Sequence, residues 1–265
     1  MPIAIFTDID GTLINSDHKV TPETQKALQT CVENGAILTL CSSRCPAGLV
    51  PILEEYNLSA CMIALGGAMI IDEKGNILHQ QGMPSERAAQ VIRFVEEKGY
   101  DLTWSLYTTD RWIVRNINDP RTLHEAHVLH TIPEQGSPDM LSADTQVNKI
   151  LCTCDPAITN EVEQALIAEF PELTFAQSSV KLIEITANGV DKGAAVQIFC
   201  EKKGINLDDT VGFGDNYNDV TMLSTVRRSV LMQNAPEALH DRFFMMTDDN
   251  DHDGIAKALK KLQII

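Results

Sequence analysis

No apolar run in this sequence approaches the roughly 20 residues that a bilayer-spanning helix needs, so no membrane partner is expected. The N-terminus has no basic segment followed by an apolar stretch and a cleavage site. It enters a core-strand pattern directly, and the cytoplasm is the expected location. Basic residues are few: 21 Lys and Arg stand against 37 Asp and Glu, a formal charge of −16. That balance excludes the basic footprint of a nucleic-acid-binding surface. The seven cysteines are an odd number in apolar surroundings, which fits reduced thiols rather than a disulfide framework. Cys152 and Cys154 have no second pair beside them, so a zinc site is not expected there. Internal repeats and low-complexity tracts are absent as well.

What remains is an ordinary globular composition, 44% hydrophobic and 22% charged, over 265 residues. That length builds one large domain or two modest ones. Short apolar runs at Ile3–Phe6, Ala36–Cys41, Cys61–Ala64, Thr210–Phe213 and Ser229–Met232 have the length and branching of strands buried on both faces. Helix signals separate them. Thr21 caps and Pro22 opens a helix that Gly35 stops, a second helix is expected over 46–56, and Asp191-Lys192-Gly193 opens a third that Gly204 ends. Toward the C-terminus, Pro236–Asp241 and Gly254–Leu262 read as helices and Phe243–Met246 as a strand. Met69–Ile71 and Ile77–Gln80 flank Asp72-Glu73-Lys74-Gly75 as a hairpin.

The grammar changes between Met83 and Thr186. Ser85 is expected to cap a helix running to Lys98, and Leu102–Tyr107 with Trp112–Arg115 alternate as antiparallel strands with one solvated face. A helix over 120–130, a strand over 148–153, a helix capped by Asp155-Pro156 and strands at Leu173–Ala176 and Leu182–Thr186 complete the segment. The α-β-β-α-β-α-β-β order reads as an α+β module inserted into an α/β domain. The expected domains are therefore 1–82 with 187–265, and 83–186 between them. His124, His127 and His130 fall at i, i+3 and i+6 and read as an exposed helix face rather than metal ligands. Asp248-Asp249-Asn250-Asp251 reads as a solvated loop.

Four polar stretches lie where they can converge: Asp8 and Asp10, Ser42-Ser43-Arg44, Lys192, and Asp215 to Asp219. Three follow the carboxyl ends of apolar strands, where open α/β sheets bind ligands, and Lys192 opens a helix. Asp8-Ile9-Asp10-Gly11-Thr12-Leu13 resembles the first motif of the haloacid dehalogenase-like (HAD) phosphatases, and the other three stretches match the remaining motifs in order. Gly-Asp-Asn-Tyr-Asn-Asp at 214–219, Met232-Gln233-Asn234-Ala235 and Asp253-Gly254-Ile255-Ala256 are similar to the Cof-like branch, whose large α/β (type IIB) cap is inserted between the second and third motifs. The resemblance implies a Rossmann-like parallel-sheet core with 83–186 as the cap.

It also implies roles. Asp8 matches the nucleophile that becomes an aspartyl phosphate, and Asp10 the group that protonates the leaving alkoxide and later deprotonates water. Asp8, Asp10, Asp215 and Asp219 are the expected metal site, with Mg²⁺ as cofactor held by Asp8, Asp215 and a backbone carbonyl near Asp10. Ile9, Ser42, Ser43, Lys192 and Asn218 are expected around the phosphate, Lys192 supplying a permanent positive charge. Arg44 is expected either to touch substrate or to tie its loop by an ion pair. The implied activity is Mg²⁺-dependent hydrolysis of a small phosphorylated metabolite, a sugar phosphate in particular, by a monomer or homodimer. A catalytically silent sensor of phosphorylated metabolites and a phosphomutase are the other readings of the same motifs. Discrimination among substrates is expected from the insertion, with Arg111 and Trp112 as candidate contacts. Two positions depart from the branch pattern: Ser43 stands where glycine is usual, and Gly66 where asparagine is usual.

Overall fold

In the computed structural model, which describes residues 3–265, the runs that read as apolar on both faces are buried on both faces. In chain order the elements begin β1 (Ala4–Thr7), α1 (Pro22–Glu33), β2 (Ile37–Cys41), α2 (Val50–Glu55), β3 (Cys61–Ala64), β4 (Met69–Ile71) and β5 (Ile77–Gln80). They continue with β6 (Met83–Pro84), α3 (Ser85–Lys98), β7 (Leu102–Tyr107), β8 (Trp112–Val114), α4 (Pro120–Leu129), β9 (Glu134–Gln135), β10 (Gln146–Val147), β11 (Lys149–Cys154), α5 (Thr159–Glu169), β12 (Thr174–Ser179) and β13 (Leu182–Thr186). The last are α6 (Lys192–Lys203), β14 (Thr210–Gly214), α7 (Val220–Thr225), β15 (Arg228–Leu231), β16 (Met245–Met246) and α8 (Gly254–Lys261). The chain divides into two compact units, Met1–His79 with Asp191–Ile265, and Gln80–Val190.

The first unit is built on an eight-stranded sheet in the order β16-β15-β14-β1-β2-β3-β4-β5. β16 to β3 run parallel, and β4 returns antiparallel to β3. β1 is central. β2 and β3 build outward on one side of it and β14 to β16 on the other, so the strand order reverses there and opens a crevice at the carboxyl ends. α6 packs its apolar face on this sheet, with Phe199 edge-on to Phe6 at 5.6 Å. Val196, Met222, Leu223 and Leu231 fill the same cluster.

In the second unit a six-stranded sheet runs β12-β13-β11-β7-β8-β9, antiparallel except for β8 with β9, beside a small β6–β10 pair. Thr103, Ser105 and Tyr107 do share a face, but β7 and β8 are buried throughout, so the expected solvated face is covered. On that face buried Lys149 lies 3.8 Å from Glu184, while the buried Thr103 hydroxyl has no hydrogen-bond partner among the described residues. Trp104, on the opposite face, donates its Nε1–H to Glu96 of α3. Arg111 donates to Glu134 through Nε and Nη2 and to the Met140 carbonyl through Nη1. Trp112 is buried and stacks on Tyr107 at 5.6 Å. His124, His127 and His130 are exposed.

Several boundaries differ from the sequence reading for identifiable reasons. The stretch 46–56 is a 3₁₀ turn at Pro46–Gly48 followed by α2. One continuous helix would place Pro51 in its interior, where it lacks an N–H and its ring clashes; the break leaves it in a first turn. Ser85 is the first helical residue of α3 rather than its cap, and its hydroxyl donates to the Ser142 carbonyl. Asp155 accepts the Ala157 N–H in a turn of its own, so α5 starts at Thr159. Pro236–Asp241 shrinks to a 3₁₀ turn at Glu237–Leu239. All seven cysteines are buried, and none is in a disulfide.

Two glycines separate backbone strain from crowding. Gly35 (φ +89°) has open space where a Cβ would stand, whereas at Gly67 (φ +114°) a Cβ would lie 2.4 Å from the Asp191 carbonyl oxygen. Gly35→Ala should cost only the left-handed backbone penalty of about 1–2 kcal/mol. Gly67→Ala adds overpacking of about 1–3 kcal/mol more, at the residue that caps α6. Urea unfolding of the two variants measures both, and equal losses would contradict the crowding.

Candidate active site

The site grows from three strand ends and one helix start. The Asp8 N–H donates to the Phe213 carbonyl, so β1 stays paired with β14 up to the residue that leaves the sheet. The chain then coils on itself, with the Thr12, Leu13 and Ile14 N–H groups all donating to the Ile9 carbonyl. Gly11 has φ +88°, and a Cβ there would lie 2.5 Å from Asp215 Oδ2. Glycine is therefore needed both for the turn and for the approach of the β14 loop. At the end of β2, Ser42 is 1% exposed, and its Oγ accepts the Arg44 N–H at 3.1 Å. Asp191 caps α6 by accepting the Ala194 N–H, which sets Lys192 at the first turn.

Lys192 is buried and forked. Its Nζ donates to Asp8 Oδ1 at 2.5 Å and to Asp219 Oδ1 at 2.6 Å. The other oxygen of Asp219 accepts the N–H groups of Asp215 and Asn216, both at 3.0 Å, so this carboxylate holds the lysine and shapes the loop together. Asp215 Oδ1 accepts the Thr12 hydroxyl at 2.7 Å, and Oδ2 accepts Asn234 Nδ2 at 3.4 Å. Asp8, Asp215 and Asp219 each offer an oxygen, and these oxygens lie within 4.8 Å of one another.

Three buried carboxylates thus face one ammonium. Burial pushes Asp8 well above the usual carboxylate range and Asp219 pushes it further, with Lys192 opposing. Burial, then Asp219, raises Asp215 to about 7. Burial works against the charge of Lys192, but Asp219 and Asp8 outweigh it and hold its pKa above the ordinary value. The donors are all hard oxygens carrying uncompensated negative charge, which fits a divalent cation of the Mg²⁺ or Ca²⁺ kind.

The Asp10 side chain stands apart from this group; the contact expected there is a backbone carbonyl. Its carboxylate is half-exposed and bidentate with Arg44, Nε to Oδ2 at 2.9 Å and Nη2 to Oδ1 at 2.6 Å. That pairing is the ion-pair alternative for Arg44, and it leaves Asp10 only its main chain to offer a metal. Ile9 is fully buried, while Ser43 and Asn218 are half-buried at the edge of the site. Ser43 keeps a negative φ, so the position does not require glycine. Gly66 is left-handed, with φ 68° and ψ 14°, a conformation that asparagine also tolerates, so that exchange keeps the backbone. Thr12, Asn216 and Asn234 were not expected in the site. Asn234 lies in the Met232–Ala235 stretch that the sequence reading used only to recognise the branch.

Residues 5–259 match the family model of the haloacid dehalogenase-like hydrolases. A 5-amino-6-(5-phospho-D-ribitylamino)uracil phosphatase of Bacillus subtilis is 25% identical over 259 residues, covering 97% of this chain and 94% of its own. An HMP-PP phosphatase of Yersinia enterocolitica is 29% identical over 231 residues, covering 86% and 82%. Among solved structures, the HAD subclass IIB sugar phosphatase BT4131 superposes with a TM-score of 0.87 at 25% identity, over 99% of this chain and 100% of that one. A haloacid dehalogenase-like hydrolase from Bacteroides thetaiotaomicron has the same fold, with a TM-score of 0.88 at 24% identity over 99% and 100% of the two chains. The chain belongs to the haloacid dehalogenase-like hydrolases, in their Cof-like phosphatase branch.

Proposed function

We propose that this phosphatase hydrolyses small phosphorylated metabolites, sugar phosphates in particular, with Mg²⁺ and through an aspartyl phosphate on Asp8. The observation that carries the reading is the Lys192 fork: it fixes one oxygen of Asp8 and leaves Oδ2 to attack phosphorus. In the first step the Asp8 oxygen bonds to phosphorus, the bond to the leaving oxygen breaks, and Asp10 gives that oxygen its proton. In the second, Asp10 takes a proton from water, the water oxygen bonds to phosphorus, the acyl phosphate opens, and inorganic phosphate departs. Lys192, the Ser42 hydroxyl, the Asn218 side chain and the N–H groups of Ile9 and Ser43 hold the phosphoryl oxygens. Mg²⁺ held by Asp8, Asp215 and Asp219 would neutralise the carboxylates and the phosphate dianion together.

Arg44 holds Asp10 at the rim as a carboxylate, the form that takes the proton from water in the second step; to give a proton in the first step Asp10 must part from Arg44 as substrate enters. The core groups engage only phosphate and metal, which are the same for every monoester. We therefore assign discrimination to the insertion 83–186. Sugar phosphates are favoured because BT4131, similar over nearly the whole chain, is a sugar phosphatase.

Four outcomes are expected. Asp8→Asn keeps the shape and loses the anion, so kcat should fall on the order of 10³-fold or more while the circular dichroism is unchanged; activity within tenfold of the parent would refute the assignment. Chelator should abolish turnover, Mg²⁺ should restore it and Ca²⁺ should do so poorly, because it accepts looser geometry. Protons and metal compete for Asp215, whose pKa lies at about 7. Calorimetry should accordingly show Mg²⁺ binding tighten as the pH rises toward 7, by up to about tenfold per unit for each carboxylate that must lose a proton; a flat profile would contradict the shared site. Last, a panel of phosphorylated metabolites should give its highest kcat/KM with sugar phosphates and release inorganic phosphate. Phosphoryl transfer that requires added sugar bisphosphate would mark a mutase instead.

A further inference from the structure

Two stretches that marked the branch, Met232–Ala235 and Asp253–Ala256, have no part in this chemistry, and neither has the acidic run 248–251 that precedes the second. We propose that Asn234 is a positioning residue of the metal site, and that the loop 248–254 sets its aim. The proposal rests on Asp8, Asp215 and Asp219 binding a divalent cation.

Asn234 sits in a turn beside the end of β14, where the Met232 N–H donates to the Gly214 carbonyl at 3.0 Å. Its Nδ2 has two protons and two acceptors. One is the Gly11 carbonyl at 2.8 Å, in the loop that follows Asp8 and Asp10; the other is Asp215 Oδ2 at 3.4 Å. A single amide therefore ties the β1 loop to the β14 carboxylate. The Thr12 hydroxyl also donates to the Asp215 side chain.

The orientation of that amide is fixed from outside the site. The Asn250 N–H donates to Asn234 Oδ1 at 3.3 Å. A backbone N–H can only donate and a carbonyl can only accept, so these two partners point the NH₂ toward Gly11 and Asp215. Asn250 is held in turn. Its Nδ2 donates to the Ile14 carbonyl at 2.9 Å, and Asp251 accepts both the N–H and the hydroxyl of Ser16, at 2.8 and 2.7 Å. Asp253 accepts the Thr21 hydroxyl at 2.5 Å. Behind this strap, a Cβ on Gly254 would lie 2.7 Å from Met232 Cε, so the loop packs directly against the turn that carries Asn234.

The acids of this run are thus spent on protein partners, Asp248 on Lys257 and Asp249 on His252 and the Asp251 N–H. They make no ion site of their own. Their work is to hold 14–21 and Asn250 so that Asn234 presents its donors. Groups that orient a metal ligand from behind contribute about 10–100-fold in affinity.

The test measures Mn²⁺ binding by calorimetry at one pH for the full-length parent, Asn234→Ala, Asn250→Ala and the double variant. Thermal unfolding without metal and kcat at saturating Mg²⁺ accompany it. Asn234→Ala should weaken Mn²⁺ binding by about 10–100-fold, with metal-free unfolding unchanged and turnover recovered at saturating Mg²⁺. Asn250→Ala should weaken it less, and the double variant should be no worse than Asn234→Ala, since both act through one amide. An unchanged Kd in Asn234→Ala overturns the proposal. An unchanged Kd in Asn250→Ala alone overturns the share given to the loop. If Asn234→Ala does not fold, Asn250→Ala decides by the same criterion. A parent that binds no Mn²⁺ overturns the metal reading itself, and this inference with it.

Discussion

Three carboxylates crowd into a buried space with one ammonium to answer them, and much of the first unit is arranged around that imbalance. Like charges at this range raise each other's pKa and would separate if the chain allowed it. Asp219 is held by two backbone N–H groups and Lys192, and Asp215 by Thr12 and Asn234. Asp8 is fixed by its place at the end of β1, where its N–H donates to the Phe213 carbonyl, and by the same lysine. The overall charge of −16 makes this arrangement costlier and repels a phosphorylated substrate besides. Attraction must therefore be local, from Lys192 and from whatever cation the oxygens hold.

Close approach is the second requirement, and glycine meets it. A Cβ at Gly11 would strike Asp215, one at Gly214 would strike Asp219, and one at Gly193 would lie 2.5 Å from the Thr221 carbonyl. These three sites bring the β1 loop, the β14 loop and the start of α6 within hydrogen-bonding range of one another. A substitution at any of them would move a carboxylate or the lysine rather than merely loosen a turn. The parallel sheet does the rest, by delivering residues 8, 42 and 215 to the same edge.

The sequence was most informative where chemistry and strand grammar coincide. Asp8, Ser42 and Asp215 are polar residues within two positions of largely apolar runs, and a parallel sheet leaves such residues one place to go. Lys192 could be placed because its cap and its helix stop are both written in the chain. The Arg44–Asp10 pair could not be chosen over a substrate contact, since either use suits an arginine beside a strand end. Thr12 and Asn234 stayed hidden for a different reason: their partners are 203 and 19 or 223 residues away, and one of them is a backbone carbonyl, which has no side-chain signature. In the second unit the alternation along β7 marked its two faces correctly, but alternation does not say whether a second layer covers the polar one.

The sulfur chemistry of the chain is as quiet as its carboxylate chemistry is tense. All seven cysteines are buried thiols. Burial lifts Cys31, Cys154 and Cys200 to about 11 and Cys61 to about 12, and lifts Cys41 and Cys152 higher still. At neutral pH a thiol of pKa 11 is ionised in only about one molecule in ten thousand, and the thiolate is the form that peroxides and alkylating agents attack. Phosphatases that attack with a cysteine carry an oxidisable nucleophile at the centre of their chemistry. In the function proposed above the nucleophile is an aspartate instead, and the six thiols whose pKa burial raises stay protonated at neutral pH, so they offer oxidants little thiolate to attack.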